Sequence, residues 1–242
     1  MLIKGRYELI EKVGHGGMGA VYLALDRLSG AQVALKQVSL EEVSKLELTS
    51  DSLPDVDKLR LSLTREFQIL AGLRHPNIIS VLDYGFEVDD RPFYTMTYVE
   101  DGLDLMLAAE GKALAGKIDL IKQLLQALIY LHRHGVLHRD LKPANVLVSQ
   151  NQLFVLDFGL SSPMGAQLEQ AGTPLYMAPE LVDGVAASEA SDLFTVGELF
   201  YQLTTGRHPF EPFDLHFYDR LLDAEPSWDD IPDPLQPVLA RL

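Results

Sequence analysis

The octapeptide HRDLKPAN, residues 138–145, decides how the rest of the chain is interpreted. It follows DLIKQLLQALIYLHRHG, residues 119–135, whose apolar residues recur at helical spacing and whose final glycine predicts the helix end. An Asp-Phe-Gly triplet begins at Asp157, and an Ala-Pro-Glu triplet ends at Glu180. Each polar residue alone would be an ordinary loop residue or helix cap. Their order and spacing together are specific.

A glycine-rich stretch, GHGGMG at residues 14–19, fits the pattern G-x-G-x-x-G. That pattern occurs in dinucleotide-binding folds, where a helix follows the glycines, and in hairpins that cover phosphates with backbone N–H groups. Here AVYLAL follows, and its alternation is typical of a strand. We therefore expect a strand–glycine–strand hairpin and reject the dinucleotide-binding fold. Alone the motif is weak evidence, because such glycines also form ordinary turns. The predicted lid glycines are Gly14, Gly16, Gly17 and Gly19.

A lysine in the next predicted strand, Lys36 of VALK, is the candidate phosphate-binding cation. Strand alternation places Ala34 and Lys36 on one face, so Ala34 would pack on a base while Lys36 reaches a phosphate. A lone lysine on a strand is ordinarily an exposed charge, and the functional interpretation therefore needs a partner. Glu66, among apolar residues of the predicted helix LTREFQILAGL, is that candidate partner.

Composition excludes several classes of function. The 242 residues carry a formal net charge of −15, which argues against nucleic-acid binding through a basic face. The chain has no run of about 20 apolar residues, so we expect no membrane span. The N-terminus also lacks the apolar core of a signal peptide. Cysteine is absent, so disulfides and thiolate zinc sites are impossible. We expect a cytoplasmic protein without nucleic-acid or membrane contact from this segment.

Taken together, the glycine stretch, VALK, HRDLKPAN, DFG and APE resemble the eukaryotic-like serine/threonine protein kinases, and GHGGMGAVY and HRDLKPANVL are most similar to bacterial members. The resemblance extends from about Arg6 to the last residue. It implies an α+β, bilobal protein kinase fold over residues 1–242. The N-lobe, residues 1–97, would be a small antiparallel β-sheet with one main helix. The C-lobe, residues 98–242, would be mostly helical.

The resemblance also implies roles for the catalytic residues. Phosphoryl transfer needs in-line positioning and neutralisation of phosphate charge more than covalent chemistry. Asp140 would orient the substrate hydroxyl and accept its proton, and Lys142 would lie near the transferring phosphate. Asn145 and Asp157 would supply oxygen ligands for Mg²⁺. Lys36, held by Glu66, would bind ATP phosphates.

An adenine pocket is implied by the same resemblance. Met96 matches the residue at the back of that pocket, and Thr97 to Val99 match the hinge whose backbone contacts adenine. The apolar sandwich around the ring would consist of Val21, Ala34 and Leu147. The family often has Glu at the position of Thr97, a change that backbone contacts should tolerate.

Two departures from the family pattern bear on regulation and completeness. Arg139 beside Asp140 usually implies control by a phosphate, yet residues 163–172 contain no Ser, Thr or Tyr. Either Glu169 pairs with Arg139 in place of a phosphate, or Glu169 is solvated and the loop simply moves. The chain also ends at Leu242, before the family's late arginine, so we expect the last C-lobe helices to be missing, Glu180 to lack that partner, and further domains to follow.

The leading function is transfer of the ATP γ-phosphate to Ser or Thr hydroxyls of protein substrates. The lysine in HRDLKPAN is similar to that of Ser/Thr kinases and favours Ser or Thr over tyrosine. The segment from Gly172 to Tyr176 matches the family segment that receives the substrate residue after the acceptor, which favours proteins over small molecules. Basic protein substrates are compatible with the acidic charge but not required by it. The alternative is an ATP-binding pseudokinase or scaffold module.

Overall fold

The computed structural model describes residues 1–16, 19–38, 64, 67–87, 91–157, 174–214, 216–223 and 225–242. The chain divides into two compact units. The first contains Met1–His75 and Ile79–Glu100, and the second contains Pro76–Ile78 and Asp101–Leu242.

The first unit is built on an antiparallel sheet of six strands among the described residues, in the order β1-β2-β3-β4-β6-β5. The first four strands follow one another as hairpins, and β6 inserts between β4 and β5. Residues 67–72 are helical. The strands are β1 (Leu2–Ile3), β2 (Tyr7–Gly16), β3 (Gly19–Asp26), β4 (Gln32–Val38), β5 (Val81–Phe86) and β6 (Pro92–Thr97).

Aromatic packing joins the helical segment 67–72 to the sheet. The ring of Phe67 is fully buried, 5.4 Å from the ring centre of Tyr84 and 5.3 Å from that of Tyr94. Burying such rings is a large favourable contribution to folding. A second apolar cluster in this unit consists of Ile3, Tyr7, Ala24, Val33, Leu35 and Phe93.

The second unit is mostly helical. Its helices are α1 (Leu105–Ala109), α2 (Leu114–Arg133), α3 (Pro179–Val182), α4 (Glu189–Thr205), α5 (Phe217–Asp223) and α6 (Gln236–Leu239). A small antiparallel sheet accompanies them, with β7 (Leu103–Asp104), β8 (Val146–Ser149) and β9 (Gln152–Val155) in the order β7-β8-β9. Short 3₁₀ helices span Pro143–Asn145 and Pro174–Tyr176. These elements and the six-stranded sheet confirm the α+β prediction.

Helices α2 and α4 pack on each other and form the centre of this unit. Leu124, Leu128 and Leu131 of α2 are fully buried, as the helical spacing of this segment predicts. Helix α4 begins with a capping box, in which Ser188 and Ser191 exchange side-chain and backbone hydrogen bonds. It ends at Gly206, whose φ of 78° favours glycine. No helix in the described ranges is long and apolar enough to cross a membrane.

Candidate active site

The centre of the candidate site is the loop between α2 and β8. Lys142 Nζ lies 2.7 Å from Asp140 Oδ2, and the amide nitrogen of Asn145 donates to the same oxygen at 3.0 Å and to the Asp140 carbonyl at 2.6 Å. Asp140 therefore keeps one carboxylate oxygen that neither of these contacts occupies. The 3₁₀ helix Pro143–Asn145 brings the three polar side chains together. The structure thus groups three of the predicted residues.

Asp157 follows β9, and the residue before it, Leu156, contacts the loop. The backbone N–H of Leu156 donates to the carbonyl of Asn145 at 2.9 Å, which fixes the position of β9's end beside the loop. Asp157 itself has φ of 53°, a conformation uncommon outside glycine. This contact between Leu156 and Asn145 brings the backbones of the two predicted metal ligands, Asn145 and Asp157, close together.

A buried histidine lies among three carboxylates. Burial lowers the pKa of His138, while the charges of Asp192, Asp140 and Asp157 oppose that shift. His138 is fully buried, and its Nδ1 accepts the N–H of Asp140 at 3.4 Å. A neutral imidazole is the form that this environment favours. The site accordingly gathers three carboxylates around His138, with Lys142 paired to Asp140, and this negative charge suits a divalent cation.

The loop is anchored from α4 by a single carboxylate. Asp192 Oδ2 accepts the backbone N–H of His138 at 2.9 Å, and Asp192 Oδ1 accepts that of Arg139 at 3.0 Å. His132 Nε2 also lies 2.8 Å from Asp192 Oδ2. Burial opposes ionisation of Asp192, but the hydrogen bonds outweigh it and lower the pKa of the carboxyl below its ordinary value.

His132 also belongs to this anchor, a role that its position in the sequence does not indicate. Its partner Asp192 is 60 positions away, and only the packing of α4 on α2 brings the two together. The contact shows His132 as part of the anchor. No group of three or more His, Cys, Asp or Glu able to hold a metal occurs among the described residues.

The segment Pro174–Tyr176 is attached to the same helix. Thr195 Oγ1 donates to the carbonyl of Tyr176 at 2.9 Å, and the Tyr176 hydroxyl donates to Gln202 at 2.9 Å. Thr195 and Gln202 are seven residues apart, so they lie on one face of α4. Sequence reasoning missed both, although this spacing is a signal that could have found them. Glu180, predicted to lack a family partner, accepts the hydroxyl of Ser191 at 2.5 Å.

Three of the predicted lid glycines, Gly14, Gly16 and Gly19, lie near the tip of the hairpin formed by β2 and β3, in the first unit. Gly14 pairs with Val21, and Gly16 pairs with Gly19. A strand follows the glycines, as predicted, and no helix does. Gly17 lies outside the described residues. Gly19 has φ of 136°, and a Cβ there would lie 1.9 Å from the carbonyl oxygen of Gln37 on β4.

The other predicted nucleotide-binding residues of this unit lie on β4, β6 and the residues after β6. Ala34 and Lys36 are both buried, and Lys36 Nζ lies 5.9 Å from the ring centre of Tyr94. Met96 pairs with Ala34 across the two strands and is also buried. Glu66 lies outside the described residues, so its pairing with Lys36 stays a prediction.

Three further positions complete the predicted adenine pocket. Thr97 is exposed, and its N–H donates to the carbonyl of Ser80 at 3.0 Å. Val99 is half-buried beyond the end of β6. In the second unit, Leu147 is half-buried on β8, opposite Phe154 of β9.

The side chains present fit Mg²⁺ and a nucleoside triphosphate. Asn145 and Asp157 offer amide and carboxylate oxygens, which are the ligands that Mg²⁺ prefers. Gly14, Gly16 and Gly19 leave their positions on this hairpin without side chains, which suits the close approach of phosphate oxygens. Apolar residues on β3 and β4 suit a flat base.

Several known proteins are similar to this chain in sequence. A family model described as "Protein kinase domain" matches residues 7–227. The "DNA damage-responsive serine/threonine-protein kinase RqkA" of Deinococcus radiodurans is 35% identical over 258 residues, covering 100% of this chain and 37% of that protein. The "Serine/threonine-protein kinase 36" of Pongo abelii is 36% identical over 211 residues, covering 85% of this chain and 15% of that protein.

One relative is shorter. The "Cell division control protein 2 homolog 3" of Trypanosoma brucei brucei is 34% identical over 241 residues, covering 92% of this chain and 73% of that protein. The chain spans between about a seventh and two fifths of the length of the other two relatives.

Proposed function

The chain belongs to the protein kinase domain family, and we propose that it transfers the γ-phosphate of ATP to Ser or Thr hydroxyls of protein substrates, with Mg²⁺. The observation that carries this proposal is the arrangement of Asp140, Lys142 and Asn145 around one carboxylate. Serine/threonine kinases among the relatives support it. Residues 1–97 would form the N-lobe and residues 98–242 the C-lobe of one catalytic domain.

Asp140 is the proposed base. One of its oxygens is engaged by Lys142 and Asn145, and the other is left to accept a hydrogen bond from a substrate hydroxyl. A positioned carboxylate of this kind contributes a rate factor of about 10²–10⁴. Lys142 neutralises Asp140 in the absence of substrate, and its ammonium would move to the transferring phosphate.

Asn145 and Asp157 would hold Mg²⁺, which neutralises charge on the phosphates when bound. Lys36, with Glu66, would bind phosphate oxygens, and Gly14, Gly16, Gly17 and Gly19 would cover them. The adenine ring would lie among Val21, Ala34, Met96, Thr97, Val99 and Leu147. We also propose a cytoplasmic location, since ATP is available there and the chain has no cysteine.

The pseudokinase alternative has little support. The residues proposed to position phosphate and substrate, Lys36, Asp140 and Asp157, are all present, which argues against a loss of catalysis. Basic proteins are the first substrates to test, because the formal charge of −15 attracts them.

The test is phosphate transfer from labelled ATP to a generic basic protein, measured for the wild type and for Asp140→Asn. We expect Asp140→Asn to lose about 10²–10⁴-fold in rate while it melts close to the wild-type temperature. Equal incorporation by both proteins would remove Asp140 from the proposed role. Incorporation on tyrosine alone would contradict the Ser/Thr assignment.

A further inference from the structure

Two ionisable side chains, Glu198 and His208, face each other in the interior of the second unit. Glu198 Oε1 lies 3.4 Å from His208 Nε2, and each side chain is only 2% exposed. Within the described ranges, neither Glu198 oxygen nor His208 Nε2 has a hydrogen-bond partner. Ionising a buried carboxylate that has no hydrogen-bond donors costs folding free energy. The contacts described above for Asp140 and Asp192 do not involve this pair. The pair therefore needs its own explanation.

The protonation states follow from the neighbouring backbone. The N–H of Phe210 donates to His208 Nδ1 at 3.3 Å, so Nδ1 is an acceptor and the imidazole hydrogen is on Nε2. If Nδ1 were protonated as well, its hydrogen would face the N–H hydrogen of Phe210, which is unfavourable. The imidazole is therefore neutral, and burial lowers the pKa of His208 to about 4 against an opposing effect of the Leu175 backbone. Burial likewise raises the pKa of the Glu198 carboxyl well above its usual range.

The pair is adjacent to the segment Pro174–Tyr176. The rings of His208 and Tyr176 meet edge to face with centres 5.5 Å apart. Glu198 lies on α4 between Thr195 and Gln202, the two residues that bind the Tyr176 carbonyl and hydroxyl. Positions 195, 198 and 202 share one face of the helix. Thr195, Gln202 and His208 therefore all contact the half-buried Tyr176.

We propose that Glu198 and His208 form a buried, uncharged pair that positions Tyr176, and with it the segment on which a protein substrate binds. The proposal rests on the proposed kinase function, because the resemblance assigns that segment to the substrate. Neutral Glu198 fits the buried position beside the His208 ring. An ionised Glu198 would draw water or move away, and His208 would lose its place against Tyr176. Both are positioning residues that act through Tyr176.

Other titratable groups near Glu198 are few among the described residues. Tyr176 faces it from the segment, and burial raises the pKa of that phenol while the hydrogen bond with Gln202 lowers it. Tyr201 on α4 and Glu225 line the cavity that Glu198 also lines. Arg207, next to His208, acts electrostatically on Tyr201. Among the titratable residues named here, Glu198 and His208 are the carboxyl and the imidazole that form the buried pair beside Tyr176.

The first test is the pH profile of the KM for a basic protein substrate, measured from about pH 6 to about pH 10 for the wild type and Glu198→Gln. Glutamine has the shape of the neutral acid and cannot ionise. We expect the wild-type KM for protein to rise on the alkaline side, on the order of threefold to tenfold, as the ring contact with Tyr176 is lost. The profile of Glu198→Gln should be flat relative to the wild type, and the KM for ATP should not change in either protein.

Parallel profiles of the two proteins, or an equal change in the KM for ATP, would overturn the proposal. Tyr201→Phe is the matched control, because it removes a hydrogen bond from α4 to the carbonyl of Ser227 without touching Tyr176. It should lower stability and keep the wild-type pH profile. His208→Phe retains a ring but removes both nitrogens, and it should raise the KM for protein at every pH.

A second measurement does not depend on phosphate transfer. Glu198 has a raised pKa in the folded protein, so its contribution to stability is complete below the unfolded pKa of about 4.3 and is lost as pH rises through the folded pKa. The melting temperature of Glu198→Gln should therefore exceed that of the wild type by an amount that grows with pH. A difference independent of pH would refute the neutral pair even if the protein proved to be an active kinase. A growing difference without any phosphate transfer would instead count against the proposed function alone.

Discussion

Asp192 accepts the backbone N–H of Arg139 at 3.0 Å, and Arg139 has φ of 67°. Few residues other than glycine adopt this conformation, which costs about 1–3 kcal/mol unless the surroundings hold it. The neighbouring N–H of His138 donates to the other oxygen of the same carboxylate. The position of Asp140, one residue later, therefore depends on a side chain of α4.

Replacing Asp192 should damage both stability and activity. Asp192→Ala leaves the two backbone N–H groups and His132 without their acceptor, which should cost about 3–5 kcal/mol of unfolding free energy. The Arg139 backbone would relax, so phosphate transfer should fall further than the loss of folded protein explains. Chemical denaturation and the rate per folded molecule measure the two effects.

The matched control for this change is Asp119→Ala, at an exposed position of α2. Its effect on stability should stay within about 0.5 kcal/mol. A rate per folded molecule that is unchanged in Asp192→Ala would contradict the anchoring role.

Acid should weaken the first unit through Asp26. Arg6 donates to both oxygens of this buried carboxylate, at 2.7 and 2.9 Å, and Ser29 and the Leu28 N–H donate as well. The hydrogen bonds from Arg6 are the main reason that the pKa of Asp26 lies far below its usual range. Burial acts in the opposite direction and raises that pKa. A lowered pKa means that this stability is present above about pH 4, the unfolded value, and is lost as pH falls through the folded value.

Asp26→Asn should remove the part of the unfolding free energy that depends on acid pH. At neutral pH it should destabilise the unit by about 2–4 kcal/mol, because Arg6 loses its bidentate partner. Melting curves between neutral and acid pH measure it. Glu8→Gln is the comparison, since Glu8 and Arg27 form an exposed pair worth about 0–1 kcal/mol. Equal losses in both variants would show that the Asp26 pair has no special role.

Much of the site was predictable because its residues are close in sequence. Asp140, Lys142 and Asn145 fall within six residues, and the helix before them ends where Gly135 predicted. The strand after the glycines followed from simple alternation. These features are local, so a short pattern contains all the information they need.

What sequence reasoning missed depends on contacts between distant segments. His132 is 60 residues from Asp192, and the Glu198–His208 pair arises because α4 is followed by a turn at Gly206. No periodicity reports which residues meet across such a turn. The expectations for Glu66, Gly17 and Glu169 fall outside the described residues and stay predictions.

The predicted lid glycines should differ in how they respond to substitution. A Cβ at Gly19 would lie 1.9 Å from the Gln37 carbonyl, whereas one at Gly14 would meet Val21 at an ordinary 3.6 Å. Gly19→Ala must therefore separate β3 from β4 and should cost about 2 kcal/mol or more. Gly14→Ala should leave the melting temperature nearly unchanged and act mainly on the KM for ATP. Similar melting temperatures for the two variants would contradict this account.

Asn145 should not tolerate a carboxylate. Its amide nitrogen donates to Asp140 twice, and Asn145→Asp replaces those donors with a negative charge beside another carboxylate. Without Mg²⁺ the variant should lose about 1–3 kcal/mol of stability. Because an added carboxylate strengthens binding of hard cations, Mg²⁺ should raise its melting temperature more than that of the wild type. Phosphate transfer should nevertheless fall, since Asp140 is displaced.

The control for Asn145→Asp is the same substitution at Asn151, which accepts a hydrogen bond from Lys112 Nζ at 2.6 Å. There the new charge faces a cation, so Asn151→Asp should be neutral or slightly stabilising and insensitive to Mg²⁺. Differential scanning calorimetry with and without Mg²⁺ compares the two variants directly. If Mg²⁺ shifted both equally, the cation would be acting on the general charge of −15 and not at Asn145. A selective shift for Asn145→Asp would instead place the cation beside Asp140, where phosphate transfer requires it.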